Sequence, residues 1–156
     1  MYPEAYLEYL AHFHGTRDYF ECHEVLEDYW KETDPENRES VWVCLIQLAV
    51  SQYHFRRNNT KGALTLIRKT LHKLTANHCQ LQSLGIDYAA LERQLVNQKK
   101  RLEDQRDYTS LTLPLSDPHL IEAVKLLCTD WGVSFGAPSD LSDSNLIDKH
   151  KRRRSS

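Results

Sequence analysis

Between Tyr19 and Trp30 the sequence reads Y-F-E-C-H-E-V-L-E-D-Y-W, and its imidazole and carboxylates are spaced for chemistry. His23 and Glu27 stand one helical turn apart with Glu24 between them, in the form H-E-x-x-E. Two ligands at i and i+4 on one helix face can bind zinc, and an intervening glutamate can serve as general base. The metallopeptidase form of this motif has a second histidine where this chain has Glu27. His54 is available as a third ligand, which would complete a two-histidine, one-carboxylate set suited to zinc, manganese or iron. The Glu-x-x-His spacing of ferritin-like di-iron bundles is absent from the chain, which counts against that class. A metal-free acid/base pair is the other chemical reading: burial raises the pKa of Glu24 or Glu27, and His23 or His54 lowers it again. No serine or cysteine stands in a nucleophile context, and Cys22 points about 100° away from His23 on a helix.

The elements that must position these groups follow from periodicity. Tyr19, Cys22, Leu26, Tyr29 and Trp30 share one arc of a helix running from Tyr19 to about Lys31, with His23 and Glu27 at its border. Thr33-Asp34-Pro35 breaks it, because proline disfavours helix in the residue before it. A second helix, about Arg38 to Arg57, is apolar nearly all round and is therefore the central, buried one. Its polar residues Gln47, Ser51 and His54 fall on one side and need partners, because buried polar groups are hydrogen-bonded. The edge carrying His23, Glu24 and Glu27 is the candidate partner. Such a network can be purely architectural, fastening two helices together.

Around this pair the chain reads as further helices. Pro3 opens a first one that Gly15 ends. Asn58-Asn59-Thr60 turns into a third long helix with Ala63, Leu64, Ile67, Leu71 and Leu74 as its core stripe. Gly62 within it points to close backbone approach to a neighbour. Residues 77–85 read as a polar connection, and Asp87 caps another helix. Leu111 and Leu113 mark an extended strap, and Asp117-Pro118 opens a last helix. Residues 133–156 read as a disordered polar and basic tail. The expected architecture is all-α: a bundle of about six helices over residues 1–132, with a central buried helix and an extended C-terminal strap.

Composition bounds the rest. The chain has 156 residues, 27% of them charged, with a net charge of −2, so the whole molecule has no strong pull toward nucleic acid or anionic lipid. Its four cysteines show no metal-ligand spacing and read as reduced thiols. No apolar run is long enough to span a membrane, and a cytoplasmic protein is expected. Arg56, Arg57, Lys61, Arg68, Lys69 and Lys73 suggest one basic surface, but the aromatic interleaving of RNA-binding motifs is missing.

The run F-E-C-H-E-V-L-E-D-Y-W-K, followed by L-I-Q-L-A-V-S-Q-Y-H-F-R-R-N-N-T-K-G-A, resembles domain-of-unknown-function family number 309, small bacterial helical proteins without an assigned activity. The likeness extends from about Phe13 to Leu74. Its pattern maps onto Glu21, His23, Glu24, Glu27, Trp30, Gln47, His54, Asn59 and Gly62. The family tends to have glycine where this chain has Arg17, Cys44 and Asn58, and the bulk of Cys44 would narrow a cavity beside the polar stripe. The resemblance implies a fold and a site location but no chemistry.

The sequence therefore favours a helical bundle whose His23, Glu24, Glu27, Gln47 and His54 cluster is mainly structural and frames a small-ligand pocket. Glu21, Trp30, Asn59 and Gly62 support it. No cofactor is called for beyond the divalent metal of the alternative reading. That alternative is a metal-dependent hydrolase using His23, Glu27 and His54. The second alternative is a nucleic-acid or protein-docking module on the basic helix face. Substrate, partner and oligomeric state are not written in the sequence.

Overall fold

The side chains that cap helices set most of the boundaries. A computed structural model describes residues 2–149, and the fold is all-α. α1 spans Glu4–Ala11, α2 Tyr19–Thr33, α3 Val41–Arg56, α4 Thr60–Leu74, α5 His78–Ser83, α6 Tyr88–Glu103, α7 Pro118–Asp130 and α8 Ser144–Ile147. Asp18, Ser40, Asn59, Asp87 and Asp117 each accept a backbone N–H in the first turn they precede, which satisfies donors that no helical carbonyl can reach. Ser40 explains why α3 starts three residues later than its apolar pattern suggests. The polar connection at 77–85 contains α5, a short helix entered through a 3-10 turn at Thr75–Asn77.

α3 is central, as expected, and packs most extensively against α4 and α2. α1 lies on α2 and α7, and α6 lies on α4. α2 and α3 run antiparallel: Phe20 meets Tyr53 at one end, with ring centroids 6.0 Å apart, and Tyr29 meets Trp42 at the other, 5.1 Å apart. Leu111 and Leu113 of the strap are buried, and the strap joins Ile86 through an isolated bridge at Leu115. Among the described residues no helix is long and apolar enough to cross a membrane. Within the stretch read as a tail, residues 133–149 are tied to the domain. Gly136 donates to the His14 carbonyl at 2.7 Å, and the Lys149 ammonium reaches Asp18 at 2.6 Å. The basic run from His150 onward lies outside the described residues.

Gly15 does not end the first helix. The chain continues through it as a wider π-helical turn, His12–Thr16, and stops at Arg17, whose φ of 57° is left-handed. Gly15 serves close packing instead: a Cβ there would lie 2.8 Å from Cys128 Sγ and 2.9 Å from Val133 Cγ2. Gly62 also differs from its reading. A Cβ there would meet the side chain of Asn59, not another helix, so this glycine makes room for the Asn59 cap. Arg17 and Asn58 both have positive φ, and these are two of the three positions where the family tends to have glycine. Left-handed backbone accounts for that preference at both.

Arg17 has a second role. Its side chain is 2% exposed and donates to the carbonyls of Phe13, Leu111 and Ala137 at 3.0, 2.6 and 2.7 Å. Three segments that share no regular structure are joined by one guanidinium. Removing the side chain leaves those carbonyls without donors, and Arg17→Ala is expected to cost about 3 kcal/mol or more. Arg17→Gly loses the same bonds but relieves the left-handed backbone, so it should be less damaging than Arg17→Ala by about 1 kcal/mol. Urea denaturation of both variants checks this; equal losses would contradict it.

Candidate ligand groove

The side of α2 that carries His23 and Glu27 is half-buried. His23 Nε2 lies 2.6 Å from Glu27, and the second oxygen of Glu27 lies 2.8 Å from Lys31 Nζ. Lys31 is the main influence holding the Glu27 carboxyl below the usual carboxylate range, with His23 adding to it and partial burial opposing. A carboxylate held by an ammonium and an imidazole is a poor proton acceptor. This row of i,i+4 pairs is the ordinary surface kind, worth about 0.5 kcal/mol each at most. His54 Nδ1 meets the Asn59 amide at 3.3 Å, at the turn into α4. Glu24 is half-buried on α2. Among the described residues no group of three or more His, Cys, Asp or Glu is gathered to hold a metal ion. His23 and Glu27 therefore come together, and His54 does not complete a ligand set with them.

Glu27 and Gln47 both line a groove between α2 and α3. It has a volume of about 320 Å³ and is lined by Glu27, Trp30, Arg38, Glu39, Val43, Ile46, Gln47 and Lys73. Trp30 is a groove wall rather than a core anchor: its indole N–H donates to the Asn37 carbonyl at 3.1 Å, and the Arg38 guanidinium lies 5.8 Å from its ring centre. The Gln47 amide oxygen is buried and meets no donor among the described residues. Cys44 does not line the groove. It is buried toward α4, with its thiol 3.8 Å from the Thr70 carbonyl, so its bulk narrows nothing there.

Several functional-looking residues escape a reading from sequence. Arg56 and Lys73 belong to the expected basic surface, yet they are 4% and 9% exposed. Arg56 donates to the Arg17 carbonyl at 2.6 Å and to Ser139 Oγ at 3.2 Å, and its guanidinium sits 4.4 Å from the Tyr19 ring centre. Thr70, Lys73 and Asn77 recur at three- and four-residue steps and are all buried. That spacing is the available signal for Lys73. Ser51, read as part of the same stripe as Gln47, donates to Leu48 and neighbours the buried Gln52, which reaches Gln98 of α6. Glu21 is drawn to the C-terminal segment, 3.1 Å from Lys149.

His14, unremarked in the sequence, is a fixed neutral imidazole. The Leu113 N–H points at Nε2 from 3.0 Å, so Nε2 must accept, and Nδ1 then carries the proton it gives to the Leu10 carbonyl at 2.9 Å. Phe135 stacks on the ring. Burial is the main cause that pushes its pKa down to about 4, with the Leu10 bond opposing. A histidine whose folded pKa lies below its unfolded value stabilises the fold fully above about pH 6.5. That contribution, of order 3 kcal/mol, is lost as pH falls from 6.5 toward 4. Following the His14 ring resonances with pH should give a midpoint near 4; titration near 6.5 would contradict this tautomer and its burial.

The family model described as "Domain of unknown function (DUF309)" matches residues 6–66, which include Glu27, Trp30, Gln47 and most other groove residues but not Lys73. The chain is 46% identical over 153 residues to "Uncharacterized protein YpuF" of Bacillus subtilis (strain 168), covering 98% of this chain and 88% of that protein. No solved structure matches it. The chain belongs to the DUF309 family.

Proposed function

We propose that this protein is a small-ligand-binding helical module and that the groove between α2 and α3 is where the ligand lies. The single observation that carries this reading is Gln47: of several buried polar atoms without a partner among the described residues, its amide oxygen is the one in a residue that lines this groove. An unsatisfied buried acceptor costs about 1–3 kcal/mol, and a fold keeps such a cost when the group has work to do elsewhere. Trp30, Val43 and Ile46 give the groove an apolar wall beside a few polar groups, the usual make-up of a ligand site. His23, Glu24 and His54 are architectural in this reading. The half-exposed His23–Glu27–Lys31 row and the His54–Asn59 contact support that assignment. The metal-dependent reading has no three-ligand group to support it among the described residues.

The test separates a binding role from a structural one. Gln47→Leu removes the orphaned oxygen and keeps the volume, so thermal unfolding should show a gain of about 1 kcal/mol. A thermal-shift screen of small metabolites should then find ligands that stabilise the parent protein and not Gln47→Leu. If Gln47→Leu is destabilised by a similar amount, Gln47 serves packing and the proposal is wrong. Ligands that stabilise both proteins equally would also count against it.

A further inference from the structure

We infer that the groove's ligand is a small organic carboxylate, seated on the Lys73 ammonium, with an apolar body against Trp30 and Ile46 and a hydrogen-bond donor for Gln47. This rests on the groove being a ligand site.

Lys73 is the observation that reaches further. It lines the groove, is nine-tenths buried, and its ammonium makes no hydrogen bond or ion pair among the described residues. Its long apolar stem carries that burial and leaves the ammonium at the groove, without an ion-pair partner. The carboxylates nearby do not answer it. Glu27 is already shared between His23 and Lys31, and Glu39, on the exposed turn, makes no ion pair with Lys73 among the described residues. The thiol that Lys73 influences, Cys44, is pushed up to about 12 by burial and is neutral at pH 7. Lys73 is therefore a groove cation with no carboxylate in ion-pair contact among the described residues.

The dimensions and donors narrow the class. A volume of about 320 Å³ is at the small end for ligand sites, which suits a ligand with a single ring or branched chain. A lone ammonium matches a monoanion. A phosphate dianion would call for more donors, of the kind a bidentate arginine supplies, and the nearby Arg38 lies over the Trp30 ring. Val43, Ile46 and Trp30 offer apolar contact to the remainder of the molecule. The unpaired Gln47 oxygen asks for a hydroxyl or N–H at the far side.

The experiment uses the full chain, nitrogen-15 labelled, titrated with 4-hydroxyphenylacetate and separately with its neutral amide. The Trp30 indole N–H resonance, assigned by Trp30→Phe, reports on the groove. The carboxylate should move that resonance saturably and bind about tenfold more tightly than the amide. Lys73→Met, which keeps the apolar stem, should bring the two within about twofold. The comparison in the parent protein needs no variant, so a Lys73→Met protein that fails to fold leaves the test intact. If the amide binds as tightly as the acid, the anion inference fails while the groove reading stands. If neither compound moves Trp30, both fall.

Discussion

Two guanidiniums in the dry interior of the molecule set the constraint on which the rest depends. A buried arginine must have its donors satisfied, and neither Arg17 nor Arg56 has a carboxylate to do it among the described residues. Carbonyls and a hydroxyl take most of those donors instead, the Arg56 Nε–H having no partner among the described residues. Arg17 takes those of Phe13, Leu111 and Ala137. Arg56 takes the carbonyl of Arg17 itself, Ser139 Oγ and, at 3.3 Å, the Leu146 carbonyl. Arg56 stands at the end of α3 and Arg17 just before α2, so the bond between them fixes where α2 begins on α3. The strap and the C-terminal segment are drawn into the same knot, where the Tyr108 and Ser139 hydroxyls meet at 2.8 Å.

That anchor has a consequence at the other end of the helix pair. With Phe20 held against Tyr53, the antiparallel course of α2 brings Glu27 and Trp30 beside Ile46 and Gln47, and Lys73 of α4 closes the groove's inner side. The polar groups around it divide by whether they are satisfied. Glu27 is, by His23 and Lys31 along its own helix. Among the described residues the buried Gln47 oxygen is not, and the Lys73 ammonium makes no ion pair. Stability arguments explain the first set and fail for the second, which is why the second set carries the functional reading.

The helices were legible because local rules decide them. Asp18, Asn59, Asp87 and Asp117 are caps by chemistry, and the apolar steps of α2 and α4 put Tyr19, Cys22, Leu26, Ala63, Ile67 and Leu74 in the core. The groove was half legible: a nearly all-apolar α3 makes Gln47 conspicuous, and the opposing edge of α2 was its evident neighbour. The remainder depends on tertiary context. Arg56 and Lys73 look like solvated charge in a basic stretch, and only packing buries them. Arg17 looks like a loop residue, since the need for a left-handed turn after a π-helical segment has no local signature in arginine. The polar composition of 133–149 suggests a free tail, but its Ala137 and Leu146 carbonyls, invisible to composition, are among the groups the two guanidiniums bind.

The most direct test of this account is native-state hydrogen exchange on Arg56→Met, which keeps the apolar stem and removes the donors. If the two guanidiniums tie α2, α3 and the strap into one unit, amides in the first turns of α2, the last turns of α3 and residues 111–115 should lose protection together and by a similar free energy. Loss confined to the last turn of α3, with the start of α2 and the strap as protected as before, would contradict it.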